Sequence, residues 1–264
     1  MSKNLIPAQR RERIQEYLAI HRIVPSAELS LLLEVSEATI RRDLEWMENE
    51  GILTRTHGGA ILNERIQFEP EYKQRAQRHP EEKRLIGARA ATLIEDGDIV
   101  FINSGTTATQ VIRNIRGGED ITVVTNNVSA ALEAGQSGFE LILLGGIFQP
   151  NSNSVTGNFS IKNLSQVYAN KSIIGVDGIT IKHGFTVPTS AEADIIHMML
   201  DRTQGPITVV TDYSKWGMVS NFEVARIDQV HRLVTDEGLS DIAREALEAR
   251  SVEVVIAGHV FSKA

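Results

Sequence analysis

Val35-Ser36-Glu37-Ala38-Thr39-Ile40-Arg41-Arg42-Asp43-Leu44 is the stretch from which the rest of the chain is read. Ser36 suits the N-cap of a helix, because its hydroxyl can accept from a backbone N–H of the first turn. In that helix Ile40, Leu44 and Met47 fall within about 60° of one another on a helical wheel, which predicts an apolar underside. Ala38, Thr39, Arg41 and Arg42 take the opposite side, with Trp46 further round, read as packing between helices. Small residues allow close approach to a duplex, and arginine can bond a guanine edge or a phosphate.

Upstream, Arg10, Arg11 and Arg13 precede Ile14, Tyr17 and Leu18, which share one helical face. Pro25 and Ser26 open a second short helix, with Leu29, Leu32 and Leu33 available to a core. Downstream, Gly51 ends the third helix. Residues 52–55 read as a strand, Thr56-His57-Gly58-Gly59 as a tight turn and 60–62 as the return strand. Such a two-stranded wing sets Arg55 and His57 beside a phosphate backbone. Three helices and a wing make a winged helix-turn-helix, over residues 1–64.

The motif 35–44, followed by Gly51-Ile52-Leu53-Thr54-Arg55-Thr56-His57-Gly58-Gly59-Ala60, resembles the DNA-binding signature of the DeoR family of transcriptional regulators. The family pattern V-S-x-x-T-I-R-R-D-L, then G-x-L-x-R-x-H-G-G-A, is met throughout. The resemblance implies that Ser36, Thr39, Arg41 and Arg42 meet double-stranded operator DNA, with Arg55 and His57 supporting from the wing.

The totals would not have pointed there. The 264 residues carry a net charge of −7, which taken alone argues against nucleic acid. The DNA reading therefore rests on where the arginines sit. The chain has no cysteine, which removes disulfides and thiolate chemistry. No apolar run reaches the ~18 residues of a membrane span. A cytoplasmic protein is expected, with no membrane partner. The seven histidines form neither H-x-x-x-H nor H-E-x-x-H, so neither metal nor cofactor is expected.

Residues 65–80 are charged and polar, and read as a linker or exposed connection. Over 81–264 the texture changes to apolar strands alternating with helices, the pattern of an α/β domain with a largely parallel sheet. Strands are expected over 99–102, 121–125, 141–144, 172–176, 207–211, 233–235 and 252–257. Helices are expected over 81–94, 107–115, 128–134, 191–202 and 241–249.

In open α/β sheets, ligands bind beyond the carboxyl ends of the strands. Asn103-Ser104-Gly105-Thr106-Thr107 follows one such end and leads into a helix, where backbone N–H groups and two hydroxyls form an anion site. Asn126, Gly145, Asp177, Asp212 and Lys215 also fall at strand ends. Lys215 offers a cation for a phosphate, while Asp177, Asp212 and Asn126 can bond hydroxyls.

Asp96-Gly97-Asp98, the 104–107 loop, 122–127, Gly145-Gly146, Glu192 and 212–215 together resemble the DeoR-family effector domain. That domain is similar in fold to ribose-5-phosphate isomerase and the CoA-transferases, and the resemblance implies a phosphorylated sugar or sugar derivative as effector. Two positions depart from the family. Asn103 stands where an Asp is common, and Ile195, Ile196 and His197 stand where Lys or Arg often follows Glu192. A repressor of a sugar-metabolism operon, working as a homodimer or homotetramer, is the expected function. The rival expectation is an isomerase with Asp177 as base and Lys215 holding phosphate. No catalytic role is assigned, because an isomerase has no use for an arginine-bearing winged helix.

Overall fold

A computed structural model describes residues 6–21, 23–49, 52–56, 58–62, 64–65, 71–116, 120–133 and 138–258. Gly51 and His57 lie outside the described residues. The N-terminal unit comprises α1 (Pro7–His21), β1 (Ile23–Pro25), α2 (Ser26–Leu33), α3 (Glu37–Asn49), β2 (Leu53–Arg55) and β3 (Gly59–Leu62). Ile14 and Leu18 of α1 close on Leu29 of α2 and on Ile40, Leu44 and Met47 of α3, all buried. Helical spacing puts each set on one stripe, so three short helices share one small core.

The eight-residue α2 has room for one buried stripe only. Leu29 is buried and Leu33 partly so, whereas Leu32, expected in the core, is turned to solvent. The wing is also larger than expected. β1 joins β3 antiparallel, so that the described strands are ordered β1-β3-β2. Gly59 makes this possible, since a Cβ there would lie 2.1 Å from the Val24 carbonyl oxygen.

The rest of the chain runs β4 (Glu64–Arg65), α4 (Tyr72–Ala76), α5 (Pro80–Ala91), β5 (Ile99–Ile102), α6 (Thr106–Asn114), β6 (Thr122–Thr125), α7 (Val128–Glu133), β7 (Glu140–Leu143), β8 (Ile147–Gln149), β9 (Ser154–Thr156) and α8 (Asn158–Leu164). It continues through β10 (Lys171–Gly175), β11 (Gly178–Thr180), β12 (Gly184–Val187), α9 (Ser190–Asp201), β13 (Ile207–Val210), β14 (Met218–Val219), β15 (Phe222–Ala225), β16 (Arg232–Asp236), α10 (Asp241–Glu248) and β17 (Glu253–Ala257).

Among the described residues, one sheet has the order β17-β16-β13-β10-β5-β6-β7. Every pairing in it is parallel. The strands fall on the seven expected segments. Their side chains alternate between two cores, as a period of two requires. Val100, Ile102, Ile173, Val210 and Val234 pack with Ile86 of α5 and Val111 and Ile112 of α6. Phe101, Ile174, Val209 and Leu233 face the other way, toward Ile195 and Met199 of α9 and Leu247 of α10. Burial on both faces is why these strands read as near-continuous apolar runs.

The chain winds from β5 through β6 to β7 on one side, then returns beside β5 with β10 and winds outward again. The strand order therefore reverses between β5 and β10, which opens a crevice at their carboxyl ends. A small antiparallel sheet, β11-β12-β15, adds a layer beyond it. Within the segment read as an exposed connection, α4 is instead packed against the body. Tyr72 Oη lies 2.9 Å from Thr109 Oγ1 of α6, and Arg75 is buried.

Candidate functional site

The N-terminal unit presents α3 to the outside. Ser36 Oγ accepts from the Thr39 backbone N–H at 3.3 Å and lies 2.9 Å from Thr39 Oγ1, so the two hydroxyls cap the helix as a pair. Ser36, Ala38, Arg41 and Arg42 are exposed. Arg41 reaches Glu37 at 3.4 Å, a solvent-screened contact worth little. Arg42 has no ion-pair or hydrogen-bond partner among the described residues. Arg55, on the wing, is held by Glu48 through its Nε at 2.8 Å. Ser36, Thr39, Arg41 and Arg42 thus share the start of one helix, and Arg55 stands apart near its end.

Asp43 points inward. Its carboxylate, with a side chain 3% exposed, takes Arg10 on one oxygen and Arg11 on the other, the latter at 3.1 Å. The Arg11 guanidinium also lies 3.9 Å from the centre of the Trp46 ring. Trp46 is therefore covered by a cation and half open to solvent, where packing between helices was expected.

At the β5/β10 crevice lies a cavity of about 470 Å³. Asn103, Ser104, Gly105, Thr106, Thr107, Asn126, Asp177, Asp212 and Lys215 all line it. Gly145 is not part of that lining; its carbonyl accepts from Ser160 Oγ at 2.7 Å, at the turn after β7.

Asn103 stitches the crevice. Its Nδ2 donates to the Gly175 carbonyl at 2.9 Å, and its Oδ1 accepts from the Gly175 N–H at 2.7 Å. An amide can do both, whereas a carboxylate can only accept. Gly105 follows with φ +134°, where nothing lies within 4 Å of a would-be Cβ, and α6 starts at the next residue. The first-turn N–H groups of α6 therefore emerge beside open cavity, together with the Thr106 and Thr107 hydroxyls.

The cations were the part missed in the sequence. Arg75, Arg78, His79 and Lys83 line the cavity with Lys215, and they come from α4, the turn after it and α5. Arg75 lies 3.3 Å and Lys215 3.6 Å from Asp177 Oδ1. Lys83 Nζ donates to the carbonyls of Arg75 at 2.6 Å and Arg78 at 2.7 Å, fastening α4 to α5. Burial lowers the Lys83 pKa to about 8, against an opposing pull from Asp212. Glu192, opposite, is pushed up by burial first and by Asp177 second, with Arg75 working against both.

Asp212 caps a short turn, its Oδ1 accepting from the Ser214 N–H at 3.1 Å. Asn126 Nδ2 donates to the Val155 carbonyl at 3.1 Å. Its Oδ1 is buried with no hydrogen-bond partner among the described residues. Ile195 and Ile196 also line the cavity, so α9 offers apolar surface there.

The N-terminal unit also touches the α/β body. Lys182, between β11 and β12, donates to the Glu48 and Asn49 carbonyls at the end of α3 at 3.2 and 2.6 Å. β4 pairs with β14, and a cleft of about 490 Å³ is lined by Arg41, Glu48 and Arg55 on one side and Ala246, Ala249 and Arg250 on the other.

A winged helix-turn-helix joined to an α/β body with a crevice at its switch point is the architecture of a ligand-responsive, DNA-binding transcriptional regulator. The DeoR-like helix-turn-helix domain matches residues 10–66, and the DeoR C terminal sensor domain matches residues 78–237. The chain belongs to the DeoR family. It is 31% identical to the HTH-type transcriptional repressor GlcR of Bacillus subtilis, over 92% of this chain and 93% of that protein. It is 30% identical to the HTH-type transcriptional regulator GlpR of Haloferax volcanii, over 95% of this chain and 98% of the relative. Ribose 5-phosphate isomerase A of Methanocaldococcus jannaschii overlaps 52% of this chain and 54% of its own, at 16% identity and a TM-score of 0.38. Among the described residues no helix is long and apolar enough to cross a membrane.

Proposed function

We propose that this regulator represses a sugar-metabolism operon and that a phosphorylated sugar, or a derivative of one, held in the crevice sets its operator affinity. One observation carries the reading. The N-terminus of α6, with Thr106 and Thr107, faces the same cavity as Arg75, Arg78, Lys83 and Lys215. Helix N–H groups and clustered cations are what a phosphate needs. The unpartnered Asn126 Oδ1 is suited to a sugar hydroxyl.

In this reading residues 1–64 read DNA, 65–80 connect and 81–264 sense. The connection is part of the sensor site, because α4 supplies Arg75. A phosphate competes with Asp177 for Arg75 and Lys215, and the resulting pull on α4 changes how the DNA-reading unit is set. Ser36, Thr39, Arg41 and Arg42 meet the major groove, with the wing beside the backbone. Two copies or four, as a homodimer or homotetramer, bring readers to successive half-sites. The work is done in the cytoplasm, on double-stranded operator DNA.

The protein binds its sugar and does not convert it, for the Asp177 carboxylate is already committed to two cations. Thermal unfolding in the presence of pentose and hexose phosphates tests this. A bound phosphate must raise the midpoint, because it binds the native state alone. A rise with at least one phosphorylated sugar, none with its unphosphorylated parent, and no product formed is expected. No rise with any of them, or turnover of one, would contradict it.

A further inference from the structure

The seven-stranded sheet ends at β7, whose outer edge pairs with no strand among the described residues. Parallel sheets bury both faces, and exposed strand edges in native proteins carry charge or proline, or are covered. Past the exposed Glu140 that opens it, β7 departs from both habits. Ile142 and Leu143 point to opposite faces of the sheet, yet they are 39% and 40% exposed. Around them stand Leu132 of α7, Ile147 and Phe148 of β8, and Phe159 of α8, at 86%, 64%, 51% and 74% exposed. These elements are neighbours. α7 packs on β7, and Gly157, just before α8, lies beside Ile147.

Charge singles out the same face. From Leu141 to Ile161 the sequence has no Asp, Glu, Lys or Arg, in a chain that is 23% charged. Two copies of a chain with net charge −7 repel one another over most approaches, and least where neither carries charge. The six exposed side chains present roughly 700 Å² of apolar surface, close to the ~800 Å² per partner of a stable specific interface.

We infer that this face is a homodimer interface, in which a second copy of the chain docks about a two-fold axis with the β7 edges facing each other. A two-fold contact uses the same patch on both copies, and a neutral apolar patch is complementary to itself. The inference is independent of the effector reading. It meets the DNA reading only in supplying the two copies that two half-sites require.

The mass of the full-length protein, measured by sedimentation velocity without DNA or sugar, tests the surface separately from the proposed function. Wild type is expected to be a dimer or a multiple of one. Leu143→Lys/Phe148→Lys, which sets like charges across the axis at positions exposed in the single subunit, is expected at half the wild-type mass. A second measurement covers the case in which that variant fails to fold. The chain has no cysteine, so Leu143→Cys provides one site for a short bis-maleimide, and Leu31→Cys in the helix-turn-helix is the control. Cross-linked dimer from Leu143→Cys and none from Leu31→Cys is expected. A monomeric wild type, a double variant of unchanged mass, or no cross-link at Leu143→Cys would overturn the inference.

Discussion

Arg41, Arg42 and Asp43 are consecutive and do three different things. Arg41 rests on Glu37, Arg42 is exposed without a partner among the described residues, and Asp43 turns into the unit to hold Arg10 and Arg11. A helix turns about 100° per residue, which is enough to divide recognition from support. Arg42→Ala should weaken operator binding about tenfold or more, with effector binding unchanged, as read by fluorescence anisotropy on labelled duplex. Undiminished affinity would remove α3 from the groove. Asp43→Ala should act through stability. It leaves two guanidiniums with exposures of 11% and 24% without their carboxylate, at a cost of about 3 kcal/mol. Chemical denaturation followed by tryptophan fluorescence in a Trp216→Phe background, where Trp46 alone reports, would show it, and an unchanged midpoint would mean that Asp43 holds nothing.

At the scale of elements, α4 and α5 link the crevice to the chain that leads from the helix-turn-helix, and Lys83 is their fastening. Its pKa is lowered from the ordinary 10.5 to about 8. Between about pH 8 and 10.5 the unfolded chain therefore binds more protons at this group, and its contribution to stability rises with pH. Phosphate binding has the opposite sign, because an anion prefers the ammonium. Calorimetric affinity for a phosphorylated sugar should fall as pH rises through about 8, and Lys83→Met should flatten that fall. An identical pH profile in the variant would take Lys83 out of the site.

These elements also mark where reading the sequence stops. The strands of the large sheet were legible because burial on both faces leaves apolar runs with little alternation. The 104–107 loop was legible because Gly105 interrupts a strand-to-helix junction. α4 was not, since five residues with Lys73 and Arg75 look solvated, and a buried arginine looks the same as an exposed one until Asp177 is placed beside it. β11, β12 and β15 were missed for a related reason. They are three or four residues long, β11 and β12 each open on a Gly, β15 is half-exposed over Phe222 and Glu223, and tertiary packing rather than propensity holds them. Gly145 was drawn into the site because Gly145-Gly146 sits at a strand end. Its strand is the outermost one, remote from the β5/β10 reversal that decides where the crevice lies.

Across the whole molecule, net charge conceals the DNA-binding surface, and the two functions meet at a short length of chain. Arg75 lies in the crevice, Lys182 reaches the last carbonyls of α3, and Arg41 and Arg55 share a cleft with the end of α10. Asp177 stands five residues before Lys182, and Met218, which lines the crevice, pairs with Glu64 of β4. An anion that draws Arg75 from Asp177 therefore acts on residues joined to two of the contacts between the helix-turn-helix and the body. Coupling of this kind is worth about 1–3 kcal/mol, or roughly 5- to 150-fold in affinity. The most direct measurement is operator affinity, by anisotropy, with and without the phosphorylated sugar that raises the melting temperature, for wild type, Thr106→Val and Lys215→Ala. A shift of at least about fivefold in wild type, much reduced in both variants, is the result expected. Operator affinity that ignores the bound sugar, or an undiminished shift in both variants, would contradict it.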